Sequence, residues 1–136
     1  MNAWYLDTSA FMKLVVEEPE SAALLEWVAE RDEADVIASC DLLRTEARRG
    51  ARRDPDHEAF ARVVAQLETV TLFPIGSAGF DDAGIVEPPT LRALDAIHLV
   101  AAQSLVPDLR GIVTYDRRLA DAASRHGIEV VSPGLD

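Results

Sequence analysis

The sequence predicts an α/β protein: a three-layer α/β/α sandwich around a mostly parallel central sheet of about five strands. Short apolar runs alternate along the chain with longer segments of helical periodicity, the pattern of strands joined by crossover helices. One late helical segment is apolar on nearly every side, as a helix packed inside such layers must be. The 136 residues carry no internal repeat, linker-like stretch or low-complexity tract. They suffice for a single domain, 1–136, that buries about two-thirds of its unfolded surface.

The first strand is Ala3-Trp4-Tyr5-Leu6, an apolar run that stops at Asp7-Thr8-Ser9 and passes into a helix over residues 10–16. Pro19, set among Glu17, Glu18 and Glu20, marks a new start. Residues 21–31 then carry Leu24, Leu25 and Val28 at helical spacing. Residues 35–38 read as the second strand, with Ser39 placed to N-cap the next helix. That helix, about 40–53, has Leu42, Leu43 and Ala47 on one side and arginines on the other. Asp54-Pro55-Asp56 ends it and opens a helix through Leu67 whose stripe is Phe60, Val63, Val64 and Leu67. Residues 70–75 form the third strand, and 77–86 a weaker helix holding Gly79 and Gly84. Pro88-Pro89 is a break, after which Thr90 caps the apolar helix running to about Val106. Residues 111–115 are the fourth strand, 116–125 a helix stopped by Gly127, and 128–131 the fifth strand.

Composition narrows the class. A hydrophobic fraction of 49% and a charged fraction of 27% are ordinary for a soluble globular protein. The N-terminus lacks a basic leader, and Glu17-Glu18-Pro19-Glu20 cuts the first apolar run well short of a membrane span, so the expected location is the cytoplasm, without membrane contact. A single cysteine, Cys40, excludes an internal disulfide and a thiolate metal site. The net charge of −11 runs against a nucleic-acid binder. Positive charge is nonetheless concentrated: Arg44, Arg48, Arg49, Arg52 and Arg53 lie close together, and Lys13 is the only lysine beside twelve arginines. That run reads either as a solvated helix face or as a local phosphate-facing ridge, arginine being suited to bidentate phosphate contact.

Four carboxylates stand where the chemistry would be. Asp7 ends the first strand at a strand-to-helix junction, the place where open α/β sheets put their ligands. Glu46 lies about two turns into its helix, and its side chain leans back toward the helix N-terminus. Asp95 falls in the first turns of the apolar helix, and Asp116 follows the fourth strand. Each also has a structural explanation. Asp7 and Asp116 suit helix caps, Glu46 could pair with Arg49 or Arg53, and Asp95 with Arg92. A charge in so apolar a helix costs several kcal/mol unless paired or metal-bound. If all four converge, they repel one another, and a hard divalent cation resolves the conflict. Oxygen-only ligation favours Mg²⁺ or Mn²⁺ over Zn²⁺ and suits phosphodiester hydrolysis. Thr8, Ser9 and Thr114 border the acids and could orient a carboxylate or a water. His98 reads as a hydrogen-bonded packing residue rather than a base, and Asp121 as a solvent-face residue.

With these residues in view the chain resembles the PIN-domain ribonucleases of the VapC toxin type. The resemblance rests on Tyr5-Leu6-Asp7-Thr8-Ser9-Ala10, Leu43-Arg44-Thr45-Glu46-Ala47-Arg48-Arg49, the stretch from Leu91 through Asp95 and His98 to Leu99, and Val113-Thr114-Tyr115-Asp116-Arg117-Arg118-Leu119. It covers essentially the whole chain in the family's order. Such similarity implies an acidic pocket at the C-terminal edge of a parallel sheet and Mg²⁺- or Mn²⁺-dependent endonucleolytic cleavage of RNA. It implies Asp7, Glu46, Asp95 and Asp116 as pocket acids and metal ligands. It also implies a small VapB-type antitoxin, whose basic tail would suit the charge of −11, and a homodimer or a toxin–antitoxin hetero-oligomer. Arg44, Arg48, Arg49 and Arg52 would face RNA or that antitoxin. Two alternatives stay open. One is a phosphoacceptor or phosphatase domain, which wants a later lysine and, in the dehalogenase type, an Asp where Ser9 stands. The other is a binding module with a vestigial acidic pocket.

Overall fold

The computed structural model describes residues 1–135. Five strands, β1 (Asn2–Leu6), β2 (Asp35–Cys40), β3 (Thr71–Phe73), β4 (Leu109–Val113) and β5 (Val130–Val131), form one sheet in the order β3-β2-β1-β4-β5. Every neighbouring pair is parallel. Between them run α1 (Thr8–Lys13), α2 (Ser21–Ala29), α3 (Leu42–Arg53), α4 (Ala59–Leu67), α5 (Gly76–Ala83), α6 (Ala93–Gln103) and α7 (Arg117–Arg125). The three-layer parallel architecture expected from the alternating pattern is the one observed.

Alternation along the strands builds two cores. Leu6 and Val113 face one layer, where they pack with Phe11, Leu24, Leu43 and Val63 from α1 to α4. Tyr5 and Ile112, one residue earlier, face the other layer and meet Leu99, Leu119 and Ala123 from α6 and α7. Register keeps the two central strands level, with Tyr5 opposite Ile112 and Leu6 opposite Val113. The chain leaves β1 toward β2 and β3 on one side, then crosses back to β4 on the other. The β1/β4 gap is therefore the topological switch point, and Asp7 and Thr114 are the first residues beyond those two strands.

Element limits depart from the sequence reading where local chemistry loses to packing. Ser39 does not cap a helix. It is buried within β2, which runs on to Cys40, and α3 starts after Asp41 without a side-chain cap. Thr90 does not cap the apolar helix either: α6 begins at Ala93, with Arg92 at the N-cap position. That helix is less enclosed than its composition suggests, since Leu94 is exposed while Ala96, His98, Leu99 and Val100 are buried. On α4 the buried residues are Ala59, Val63 and Leu67; Phe60 and Val64 of the expected stripe are exposed. The weak helix is present as α5 and buries none of its residues.

Close approach at β4 yields a test. A Cβ on Gly111 would lie 2.9 Å from the Glu129 carbonyl oxygen and 3.1 Å from the Trp4 ring. Gly111→Ala should destabilise by about 1–3 kcal/mol, the usual cost of overpacking. Gly50→Ala meets only the flexible end of Met12, at 3.1 Å, and gains helix propensity, so it should change stability by less than about 1 kcal/mol. Urea unfolding of the two variants measures the difference.

Candidate active site

Asp7 is the N-cap of α1, and its carboxylate is buried at 3% exposure. Three groups hold it. The Ala10 N–H donates to Oδ1 at 2.9 Å, Thr114 Oγ1 donates to Oδ2 at 2.6 Å, and Ser9 Oγ donates to Oδ1 at 2.7 Å. The cap and the site are thus one arrangement. Ser9 Oγ also accepts from the Tyr115 N–H at 2.9 Å, and Thr114 Oγ1 from the Asp116 N–H at 3.0 Å. The two hydroxyls therefore stitch the end of β1 to the end of β4. Burial raises the Asp7 carboxyl above the ordinary aspartate range, against the charge of His98 and the hydrogen bonds from Thr114, Ala10 and Ser9.

Glu46 reaches the same rim from α3, but not through an arginine of its own helix. Its Oε1 accepts from Thr8 Oγ1 at 2.6 Å and from His98 Nε2 at 2.7 Å. On the other side of the imidazole, Nδ1 lies 2.7 Å from Tyr5 Oη, and Tyr5 donates on to Cys40 Sγ at 3.2 Å. A hydrogen-bonded chain thus runs from Cys40 through Tyr5 and His98 to Glu46. Burial alone would lower the His98 pKa. Hydrogen bonding to Cys40 and Glu46 and the charges of Asp7 and Glu46 overcome that and push it up to about 10. Burial also works against Glu46, yet the His98 and Thr8 hydrogen bonds keep its carboxyl below the usual glutamate range. The packing role that the sequence suggests for His98 is only half of what it does. It is hydrogen-bonded and buried, but its partner is a site carboxylate, a contact that spans 52 positions and leaves no local signal.

Asp116 caps α7, its Oδ1 accepting from the Leu119 N–H at 3.1 Å. Asp95, in the first turn of α6, is half-buried. Burial raises its carboxyl, and the charge of Asp116 raises it further, followed by those of Asp7 and Glu46; only His98 opposes them. Asp95 thus feels the other three acids at one rim. Arg92 makes no ion pair with Asp95, nor Arg49 or Arg53 with Glu46; the ion pairs among the described residues lie elsewhere, apart from His98–Glu46. Asp95 and Asp116 line an open cleft of about 230 Å³ together with Arg92, Arg117 and Arg118. Among the described residues no three His, Cys, Asp or Glu side chains close into a ready-made ligand cage.

The remaining site residues sort by position. At about 100° per residue, Arg44, Arg48 and Arg52 lie roughly 160–240° around α3 from Glu46. Arg44 and Arg48 border a groove beside Val64, Glu68 and Leu72, and Arg44 pairs with Asp41 at 2.9 Å. Arg49 is exposed nearer the Glu46 side of the helix. Lys13 is far from a phosphoacceptor role. It is buried against Glu20 at 2.7 Å and Glu18 at 3.3 Å, and it stands 4.7 Å over the Tyr115 ring.

Because the His98 pKa is raised on folding, the imidazolium stabilises the fold fully below about pH 6.5. That contribution disappears as pH rises through about 10. His98→Gln, which keeps a donor for Glu46 but no charge, should lower the melting temperature most near pH 6. The gap to wild type should narrow steadily toward pH 10, as followed by circular dichroism.

A PIN domain model matches residues 4–130. The chain is 38% identical over 135 residues to Ribonuclease VapC46 of Mycobacterium tuberculosis, covering 98% of this chain and 99% of that protein. It is 40% identical over 132 residues to Ribonuclease VapC35 of the same species, covering 96% of each. Among solved structures it superimposes on Mycobacterium tuberculosis VapC20, a Sarcin-Ricin loop cleaving toxin, with a TM-score of 0.72 at 15% identity over 96% of this chain and 99% of the other. It superimposes on VapBC-1 of nontypeable Haemophilus influenzae with a TM-score of 0.71 at 14% identity over 96% and 97%. With the acids at the β1/β4 switch point and relatives matched over nearly their full length, the chain belongs to the PIN-domain family, among the VapC-type toxins.

Proposed function

We propose that this protein is a Mg²⁺- or Mn²⁺-dependent endoribonuclease, the toxin of a toxin–antitoxin pair, and that Asp7, Glu46, Asp95 and Asp116 are its catalytic and metal-binding acids. The observation that carries the reading is electrostatic. Four carboxylates share one rim with the His98 imidazolium, and the Asp95 carboxyl is raised first by burial and then by the charge of the other three. Asp95 forms no ion pair among the described residues. An oxygen-only set under such repulsion fits a hard divalent cation, and Mg²⁺ asks for no closed cage, since it binds through one or two carboxylates and keeps its waters.

When bound, the ion makes a water more acidic and offsets charge developing on the scissile phosphate. The chain's own residues set the rest. Asp7 offers a carboxylate fixed by three donors, so its oxygens cannot swing away from the rim. Thr8 and His98 both bind Oε1 of Glu46, which leaves Oε2 without a hydrogen-bond donor among the described residues. Asp116 is held through Oδ1 by the α7 backbone, leaving Oδ2. Asp95 enters on the first turn of α6. The partner in this reading is a VapB-type antitoxin. Its basic tail would be drawn to a body of net charge −11 and could place a guanidinium among the acids. Relatives of this fold solved as VapBC assemblies support that pairing.

Asp95→Asn and Asp7→Asn should each cut RNA cleavage by at least about 100-fold, the equivalent of a few kcal/mol of lost charge stabilisation. Excess EDTA should abolish cleavage and added Mn²⁺ restore it. Sequencing RNA ends after induction of wild type and of Asp7→Asn should reveal discrete new termini in the first alone. Full cleavage in EDTA, or the same termini in both, would refute the reading.

A further inference from the structure

A ribonuclease of net charge −11, with its acids clustered at one rim, must still bring a polyanion onto those acids. Of the arginines singled out by sequence, Arg44, Arg48 and Arg52 lie on the far side of α3 from Glu46, and Arg49 is turned nearer to it. The positive charge beside the acids lies instead on α7 and ahead of α6. Arg92, Arg117 and Arg118 line the cleft that contains Asp95 and Asp116. Arg118 also borders an adjoining groove of about 400 Å³ that contains Thr90, Asp121 and Arg125. At 1.5 Å per residue, Arg118 and Arg125 stand about 10 Å apart on one face of α7.

None of Arg92, Arg117, Arg118 and Arg125 is in an ion pair among the described residues, although Asp95, Asp116 and Asp121 stand beside them. All four are exposed. Their guanidinium forks are thus free for an external acceptor, and a phosphate diester is the acceptor whose geometry a fork matches bidentately. Thr90 adds a hydroxyl donor to the same groove.

We propose that Arg117 and Arg118, with Arg92 at the lip and Arg125 further along α7, form a track that binds the RNA backbone and guides the scissile phosphate to Asp95 and Asp116. This rests on the ribonuclease reading above. The track makes the two charges of the site complementary: acids at the centre for a cation, arginines on the shoulder for the phosphates next to the bond being cut. An acidic protein segment is the competing occupant. RNA is favoured because the arginines open directly onto the cleft of Asp95 and Asp116, where a phosphate diester held on their forks stands next to the acids assigned to cleavage, a position that serves no purpose for a peptide carboxylate.

Fluorescence anisotropy with a labelled single-stranded RNA, in EDTA so that nothing is cut, tests the track in the full chain. Arg117→Ala/Arg118→Ala should weaken binding by about tenfold or more and flatten its salt dependence by about 0.7 for each phosphate no longer neutralised. Arg125→Ala should give a smaller loss. Arg110→Ala, exposed at the opposite end of β4, should stay within about twofold of wild type, which controls for net charge. The conservative pair Arg117→Gln/Arg118→Gln, checked for an unchanged melting temperature, separates weakened phosphate binding from impaired folding. Unchanged affinity in both pairs, or an equal loss in Arg110→Ala, overturns the track. A larger loss in Arg44→Ala/Arg48→Ala also overturns it and places RNA on the other face of α3. Displacement of the RNA by polyglutamate with the affinity of RNA itself overturns it too, and assigns the arginines to an acidic partner. A wild-type protein that binds no RNA removes the ribonuclease reading as well, which distinguishes the two failures.

Discussion

The crowding of acidic side chains around Asp95, beyond the ends of β1 and β4, is the constraint on which the site depends. Asp7, Glu46, Asp95 and Asp116 come from four separate stretches, and Asp95 registers the charge of each of the others. A fold gains nothing in stability by bringing such groups together. Among the described residues the buried cation acting on Asp7, Glu46 and Asp95 is His98, and it is hydrogen-bonded to Glu46 rather than shared by all. The rest of the local structure holds the acids in place despite this: donors on Asp7, a helix cap for Asp116, and an imidazolium for Glu46.

The supports differ in kind. Asp7 is held by neutral donors that double as strand connectors, so Ser9 and Thr114 tie the site to the integrity of the sheet. Glu46 is held by a charged residue from the opposite layer. His98 belongs to α6, below the sheet, while Glu46 belongs to α3, above it, and Tyr5 of β1 lies between. The chain from Cys40 to Glu46 therefore passes around the sheet's edge and couples both layers to one carboxylate. A cation at this point would relieve Asp7 and Asp95 together, since burial raises the former and burial with like charge the latter.

Much of this is legible in the chain alone. The parallel sheet is written in the alternating apolar runs, and Asp7 and Asp116 stand out because each closely follows a strand. Asp95 is conspicuous as an acid in an apolar helix. The features that escape are of longer range. Ser39 looks like a cap locally, but pairing of β2 with β1 and β3 carries the strand past it. The partner of His98 depends on how two layers meet, which no periodicity encodes. The arginines of α3 draw notice by density, whereas Arg117 and Arg118 gain meaning only from a cleft formed with α6. Exposure of Phe60 and Val64 shows the same limit, since a helical stripe does not say how wide the buried face is.

Calorimetric titration of the full chain with Mn²⁺, repeated in Asp95→Asn, addresses the electrostatic claim directly. A saturable site in wild type that disappears or weakens by at least about tenfold in the variant is the expected result, because removing one of the crowded charges removes the reason for the ion. No binding in wild type, or identical binding in Asp95→Asn, would contradict the account.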